Sequence, residues 1–112
     1  VDDMVDAGAK AVRRARTEHP DLDGIICSQD MIAIGAMNEL LDQGIRVPQQ
    51  ISVMGERNLS LCEVCRPKLT SLDTMLPMST LMSARMLLDV LSQREPPHRV
   101  TLEMEVVERE ST

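Results

Sequence analysis

Between Asp23 and Gly55 the chain reads strand, polar loop, helix, loop, strand, and that order restricts the fold more than any other stretch. Gly24-Ile25-Ile26-Cys27 is a short apolar run of the kind that becomes a buried strand. Ser28-Gln29-Asp30 then sets three polar side chains where the strand ends. Asp30 is suited to cap the next helix, because its carboxylate can accept orphan amide protons of the first turn. Ile34, Met37 and Leu41 recur at helical spacing, and Gly44 supplies the stop. Ile51-Ser52-Val53-Met54 reads as the following strand. This is a βαβ unit, and parallel sheets bind small molecules at the carboxyl ends of their strands. The polar triplet lies on that edge. It is the candidate binding site.

Elsewhere the patterning is simpler. Val1 to about His19 predicts an amphipathic helix, with Val1, Met4, Val5, Gly8, Val12 and Ala15 on one stripe. Pro20 to Asp23 is a loop. Glu56 to Arg66 is irregular, with room for one helical turn at Leu59 to Val64. Lys68 to Leu72 is a short strand. Pro77 suits the first turn of a helix, where its missing amide proton has no partner to lose. Leu81, Ala84, Leu88 and Leu91 continue that helix until Glu95-Pro96-Pro97-His98 breaks it. Val100, Leu102, Met104 and Val106 alternate with polar residues, predicting a final half-buried strand with one wet face.

Composition narrows the function. A chain of 112 residues suits one domain with a modest core. Its net charge of −6 makes it a poor partner for phosphate backbones. The cluster Arg13-Arg14 and Arg16 reads as a solvated helix face beside Glu18. There is no Phe, Tyr or Trp, so the segment offers no aromatic platform for a ligand. The nine Met residues serve as flexible core filler, or else as a Met-rich partner groove. No apolar run reaches the ~18 residues a membrane helix requires, so no membrane partner is expected. Three Cys residues argue against a secreted disulfide framework. Cys62-x-x-Cys65 could serve redox or metal chemistry, but no further ligands stand at metal spacing, and packing thiols are the plainer reading. No acid/base pair, nucleophile arrangement or phosphate-cradling loop is apparent. Neither an enzyme nor a cofactor is expected.

The segment from Ser28 to Gly55 also resembles the effector-binding domain of bacterial LacI/GalR repressors. Gln29-Asp30 matches the family's Asn-Asp, Ala33-Ile34-Gly35-Ala36 its Ala-x-Gly-Ala, and Val47-Pro48 the loop before a strand ending in Gly55. Pro67-Lys68-Leu69-Thr70-Ser71 is similar to Pro-x-Leu-Thr-Thr, and Arg109-Glu110-Ser111-Thr112 to Arg-x-Ser-Thr. The resemblance runs nearly the whole chain. It implies an α/β, parallel-sheet, three-layer periplasmic-binding-protein-like fold, of which residues 1–112 form the carboxyl-terminal lobe fragment. The DNA-binding domain and the first part of the sensor would lie outside it. The intact protein would be a cytoplasmic homodimer that binds a sugar or sugar derivative and reaches operator DNA only through its missing amino-terminal domain.

Carried over residue by residue, the resemblance assigns ligand contacts. Gln29 stands where the family's Asn hydrogen-bonds the effector, although a loop Gln bonded to backbone is the plain alternative. Asp30 is a helix cap or a direct contact. Arg57 replaces the family's sugar-binding Asp, exchanging an acceptor for a cation with five donors. That exchange fits an anionic ligand, unless Arg57 pairs with Glu56 or Asp73. Thr74 lies near a ligand-facing polar position, or caps a turn. Family dimers imply an interface at Met4, Val5, Gly8, Ala33, Ile34, Met37, Leu61, Val64 and Cys65. A periplasmic solute-binding protein of the same fold, or a dimerisation module without ligand, are the competing readings.

Overall fold

Two helices, α1 (Asp2–Glu18) and α2 (Asp30–Asp42), pack backbone against backbone in the computed structural model, which describes residues 2–112. A Cβ on Gly8 would strike the carbonyl oxygen of Ile32, and one on Gly35 would strike that of Val5. Two glycines facing each other's helix therefore set the interaxial distance. Val12, Ala33, Ala36, Met37 and Leu40 are buried in and beneath this contact. The expected stripe on α1 is thus confirmed for Val5, Gly8, Val12 and Ala15, while Met4 stays exposed and Val1 lies outside the described residues. At the polar margin, Arg13 grips Glu39 through Nε and Nη2, each 2.7 Å from a carboxylate oxygen.

The sheet carries strands β1 (Gly24–Ile26), β2 (Ser52–Glu56), β3 (Thr70–Asp73) and β4 (Glu105–Val107) in that spatial order. The first three run parallel, and β4 returns antiparallel to β3. The βαβ unit over Asp23–Gly55 is present, with Gly44 at φ +75° ending the helix segment. A second crossover from β2 to β3 uses only the single turn α3 (Leu61–Val64). Val53 and Gly55 of β2 face the helices and are buried; Ser52, Met54 and Glu56 on the other face are half-covered. Ile26 of β1 is 81 % exposed, so the sheet's outer face at this edge is bare within the chain.

Among the strand boundaries that differ from the sequence expectation, two have a cause visible in the hydrogen bonding. The third strand begins at Thr70 rather than Lys68, because Lys68 exchanges hydrogen bonds with Glu110 of the carboxyl-terminal tail. The last strand spans only Glu105–Val107, since β3 ends opposite Glu105 and offers no ladder beyond it. Residues 98–102 run instead beside α4 (Leu76–Leu91), where Val100 and Leu102 meet Met82 and Met86 around a hollow of about 320 Å³. Met104 and Val106 are exposed, so the expected apolar face of that strand lacks cover.

Pro77 does sit in the first turn of α4. No residue of that helix is buried, and Leu81, Leu87, Leu88, Val90 and Leu91 are all exposed. The molecule is 59 Å long, with a radius of gyration of 17.7 Å. A compact chain of this size has about 13 Å. A packed α/β body therefore carries a projecting arm, residues 76–104. Among the described residues no helix is long and apolar enough to cross a membrane.

Candidate functional site

Parallel strands bring their carboxyl ends to one edge, and here that edge receives Gln29 after β1, Arg57 after β2 and Thr74 after β3. β1 and β2 are hydrogen-bonded neighbours, as are β2 and β3. Gln29 is the residue that caps α2, in extended conformation (φ −155°, ψ 146°), and its carbonyl accepts from Ala33 at 3.1 Å. Its half-buried side chain makes no capping hydrogen bond.

Asp30 is therefore not the cap that the sequence predicts. It stands inside the helix, wholly buried, with its carboxylate turned toward the next two strands. One oxygen accepts from the backbone of Leu59 at 2.7 Å and the other from the hydroxyl of Ser71 at 2.6 Å. Gly55 leaves the space this carboxylate fills; a Cβ there would meet Oδ1. Both carboxylate oxygens of Asp30 are thus engaged inside the chain. It holds the loop that follows β2.

That loop carries Arg57, whose backbone adopts φ +103°, a region L-residues avoid. Its amide is fixed to the carbonyl of Leu72 at 2.8 Å while the side chain is exposed. Among the described residues the guanidinium has no carboxylate partner; neither Glu56 nor Asp73 pairs with it. Asp73 is otherwise engaged, accepting from Asn58 Nδ2 at 3.0 Å and from the Met75 amide at 2.8 Å. Those donors, Asn58 first, hold its carboxyl below the usual range. Thr74 is half-buried at the junction of β3 and α4.

Asn58, Ser71 and Arg109 also belong to this site, beyond the residues the sequence assigns to it. Asn58, at φ +53°, donates its amide to Ser71 Oγ at 2.9 Å and accepts from Arg109 Nη2 at 2.7 Å through its side chain. Arg109, nearly buried, also donates to the carbonyl of Leu69 at 2.8 Å. Ser111 completes the seam: its hydroxyl donates to Val53 O at 2.6 Å and accepts from Thr70 N at 2.8 Å, filling the gap before the β2–β3 ladder starts. The signals were the Thr70-Ser71 and Arg109-x-Ser111-Thr112 motifs, whose partners lie some forty residues apart.

The cysteines are buried or half-buried and free. Burial pushes the Cys62 thiol up to about 12, with the Asp30 carboxylate adding to the shift, and the Cys27 thiol up to about 11. Both are neutral thiols at pH 7, chemically quiet and suited to packing. Among the described residues no cluster of His, Cys, Asp and Glu could hold a metal ion.

Of the expected interface positions, Gly8, Ala33 and Met37 lie at the heart of the chain's own helix pair. All three are consumed by the chain's own α1–α2 contact and core. Met4, Leu61 and Val64 are exposed, while Val5, Ile34 and Cys65 are half-buried.

The family model described as the periplasmic binding protein-like domain matches residues 1–112. The HTH-type transcriptional regulator RegA of Clostridium saccharobutylicum is 32% identical over 110 residues, covering 96% of this chain and 33% of that protein. The crystal structure of the transcription regulator GntR from Chromobacterium violaceum superposes with a TM-score of 0.91 at 31% identity, covering 96% of this chain and 40% of that one. The chain belongs to the LacI/GalR family. A LacI-type regulator from Arthrobacter sp. FB24, solved in complex with lactose, shares the same arrangement at a TM-score of 0.84 and 30% identity, covering 96% of this LacI-type chain and 42% of that structure. The chain spans about a third of the length of the curated relatives it matches.

Proposed function

We propose that this chain is the carboxyl-terminal sensing segment of a dimeric, cytoplasmic LacI-type repressor whose effector is a negatively charged sugar derivative. Gln29 supplies amide hydrogen bonds to the ligand and Arg57 supplies the charge, with Thr74 flanking them. Asp30 acts behind them by fixing the Arg57 loop. The remaining length of the protein provides an opposing lobe and the DNA-binding domain, and the ligand binds between the lobes. Differential contacts in the two lobe arrangements then alter operator affinity. Met4, Val5, Ile34, Leu61, Val64 and Cys65 are the positions left to face a second subunit.

What carries this reading is Arg57: a guanidinium with no carboxylate partner among the described residues, at a strand tip beside Gln29's strand and held on a strained backbone. Strain of this kind costs about 1–3 kcal/mol and concentrates at functional sites. An acceptor-rich neutral sugar would leave most of those donors without a charged partner, whereas a carboxylate or phosphate matches the planar fork.

Titration of the intact regulator with glucose, gluconate and glucose 6-phosphate tests the charge preference. Tighter binding of either anion is expected. Arg57→Ala should then weaken that anion by about 1.5–3 kcal/mol, or about ten- to a hundredfold, and leave glucose unchanged. Preference for glucose by the unaltered protein would overturn the anionic assignment.

A further inference from the structure

The chain leaves the α/β body at Asp73 and comes back at Glu105, so everything in the arm is joined to the body through two strands. One side chain touches both. Asn58 Nδ2 donates to Asp73 Oδ2, on the strand going out, and Asn58 Oδ1 accepts from Arg109, just past the strand coming in. Its own backbone amide is tied to Ser71 Oγ, which in turn donates to Asp30. Asp73 spends its other oxygen on the amide of Met75, the residue that caps α4. Every hydrogen-bonding atom of the Asn58 amide that meets the protein thus meets a connector between body and arm. Its neighbour in the chain is Arg57.

We propose that Asn58 is a positioning residue that joins the Arg57 loop to both connecting strands, so that the loop and the base of the arm shift as one. The inference rests on the functional reading above only for what the shift accomplishes: if Arg57 holds the effector, Asn58 passes the loop's position to the two strands that join body and arm. The joint itself is a matter of geometry. An Asn suits it better than Asp or Ser. It offers a donor to the Asp73 carboxylate and an acceptor to the Arg109 guanidinium at once, and no other short side chain does both with fixed polarity.

The test is amide hydrogen exchange in the intact regulator without ligand, comparing Asn58→Ala, Asn58→Asp and the remote control Arg13→Ala. With Asn58→Ala, exchange should rise about tenfold at Leu59 and, in parallel, at Met75 and Arg109, while α1 and α2 keep their protection. Asn58→Asp keeps the acceptor for Arg109 but sets a carboxylate against Asp73. It should therefore speed exchange at Met75 at pH 8, leave Arg109 protected, and recover toward pH 4 as the two carboxylates share a proton. Faster exchange at Leu59 alone, with Met75 and Arg109 unmoved, would overturn the joint. So would a uniform rise through α1 and α2, which marks a general loss of packing. Because no sugar enters this measurement, a coupled response together with failure to bind any of the three sugars would keep the joint and refute the effector assignment; binding with uncoupled exchange would do the reverse.

Discussion

Helices α1 and α4 are nearly the same length, 17 and 16 residues, and both are amphipathic, yet one is sunk into the body and the other lies bare along the arm. The difference is a partner. α1 finds α2, whose Gly35 admits its backbone, and the stripe Val5-Gly8-Val12 is covered. α4 finds only the thin returning segment 98–102, and Leu87, Leu88 and Leu91 remain 56–70 % exposed. Apolar spacing therefore specifies which face a helix will bury, without specifying what covers it. The uncovered stripe belongs to a chain that spans about a third of the length of its curated relatives.

The contrast can be broken most directly by matched truncations. Leu40→Ala, at a fully buried position, should cost about 2–5 kcal/mol in chemical denaturation of this chain. Leu88→Ala on the arm should stay within about 0.5 kcal/mol. Equal losses at the two sites would mean that the arm folds back onto the body. A smaller effect, about 1–3 kcal/mol, is expected from Ser111→Ala, which leaves the buried Thr70 amide and Val53 carbonyl without partners. Thermal melts read it, and an unchanged midpoint would show the tail to be ornamental.

Arg57→Gly should act in the opposite direction, raising stability by about 1 kcal/mol because glycine accepts φ +103° without strain. Loss of stability there would mean that the arginine stem contributes packing. The gentlest probe is acid. Arg13, aided by Gln43, holds the Glu39 carboxyl down to about 2 from an ordinary value of 4.5. A depressed folded value contributes stability above pH 4.5 that fades as the pH falls toward 2. Arg13→Ala should flatten that part of the acid profile, and salt should do so in part because Arg13, unlike Glu39, faces solvent.

Features whose causes are local could be read from the residues in order. Gly44 ends a helix by its own backbone, Pro77 opens one by its missing donor, and the βαβ unit follows from apolar runs of the right length. The strand tips bearing Gln29 and Arg57 follow from that unit alone. What escaped depends on residues distant in sequence. Asp30 looked like a cap because Ser71, 41 positions on, cannot be seen from its neighbourhood. Gly8 stands on the expected stripe, but what it meets at close range is Ile32 of the same chain, which its own neighbourhood does not reveal. The final strand was read too long because its length is dictated by where β3 stops. Asn58 gave no local signal at all; its meaning lies in Asp73 and Arg109, 15 and 51 positions away.

The glycine contact between the first two helices carries one more implication. Where main chain rests directly on main chain, there is no compressible cushion of side-chain rotamers to absorb a nudge. Any tilt imposed on the head of α2, the end that Gln29 occupies, is delivered undamped to the outer helix, and the pair answers as a single rigid plate.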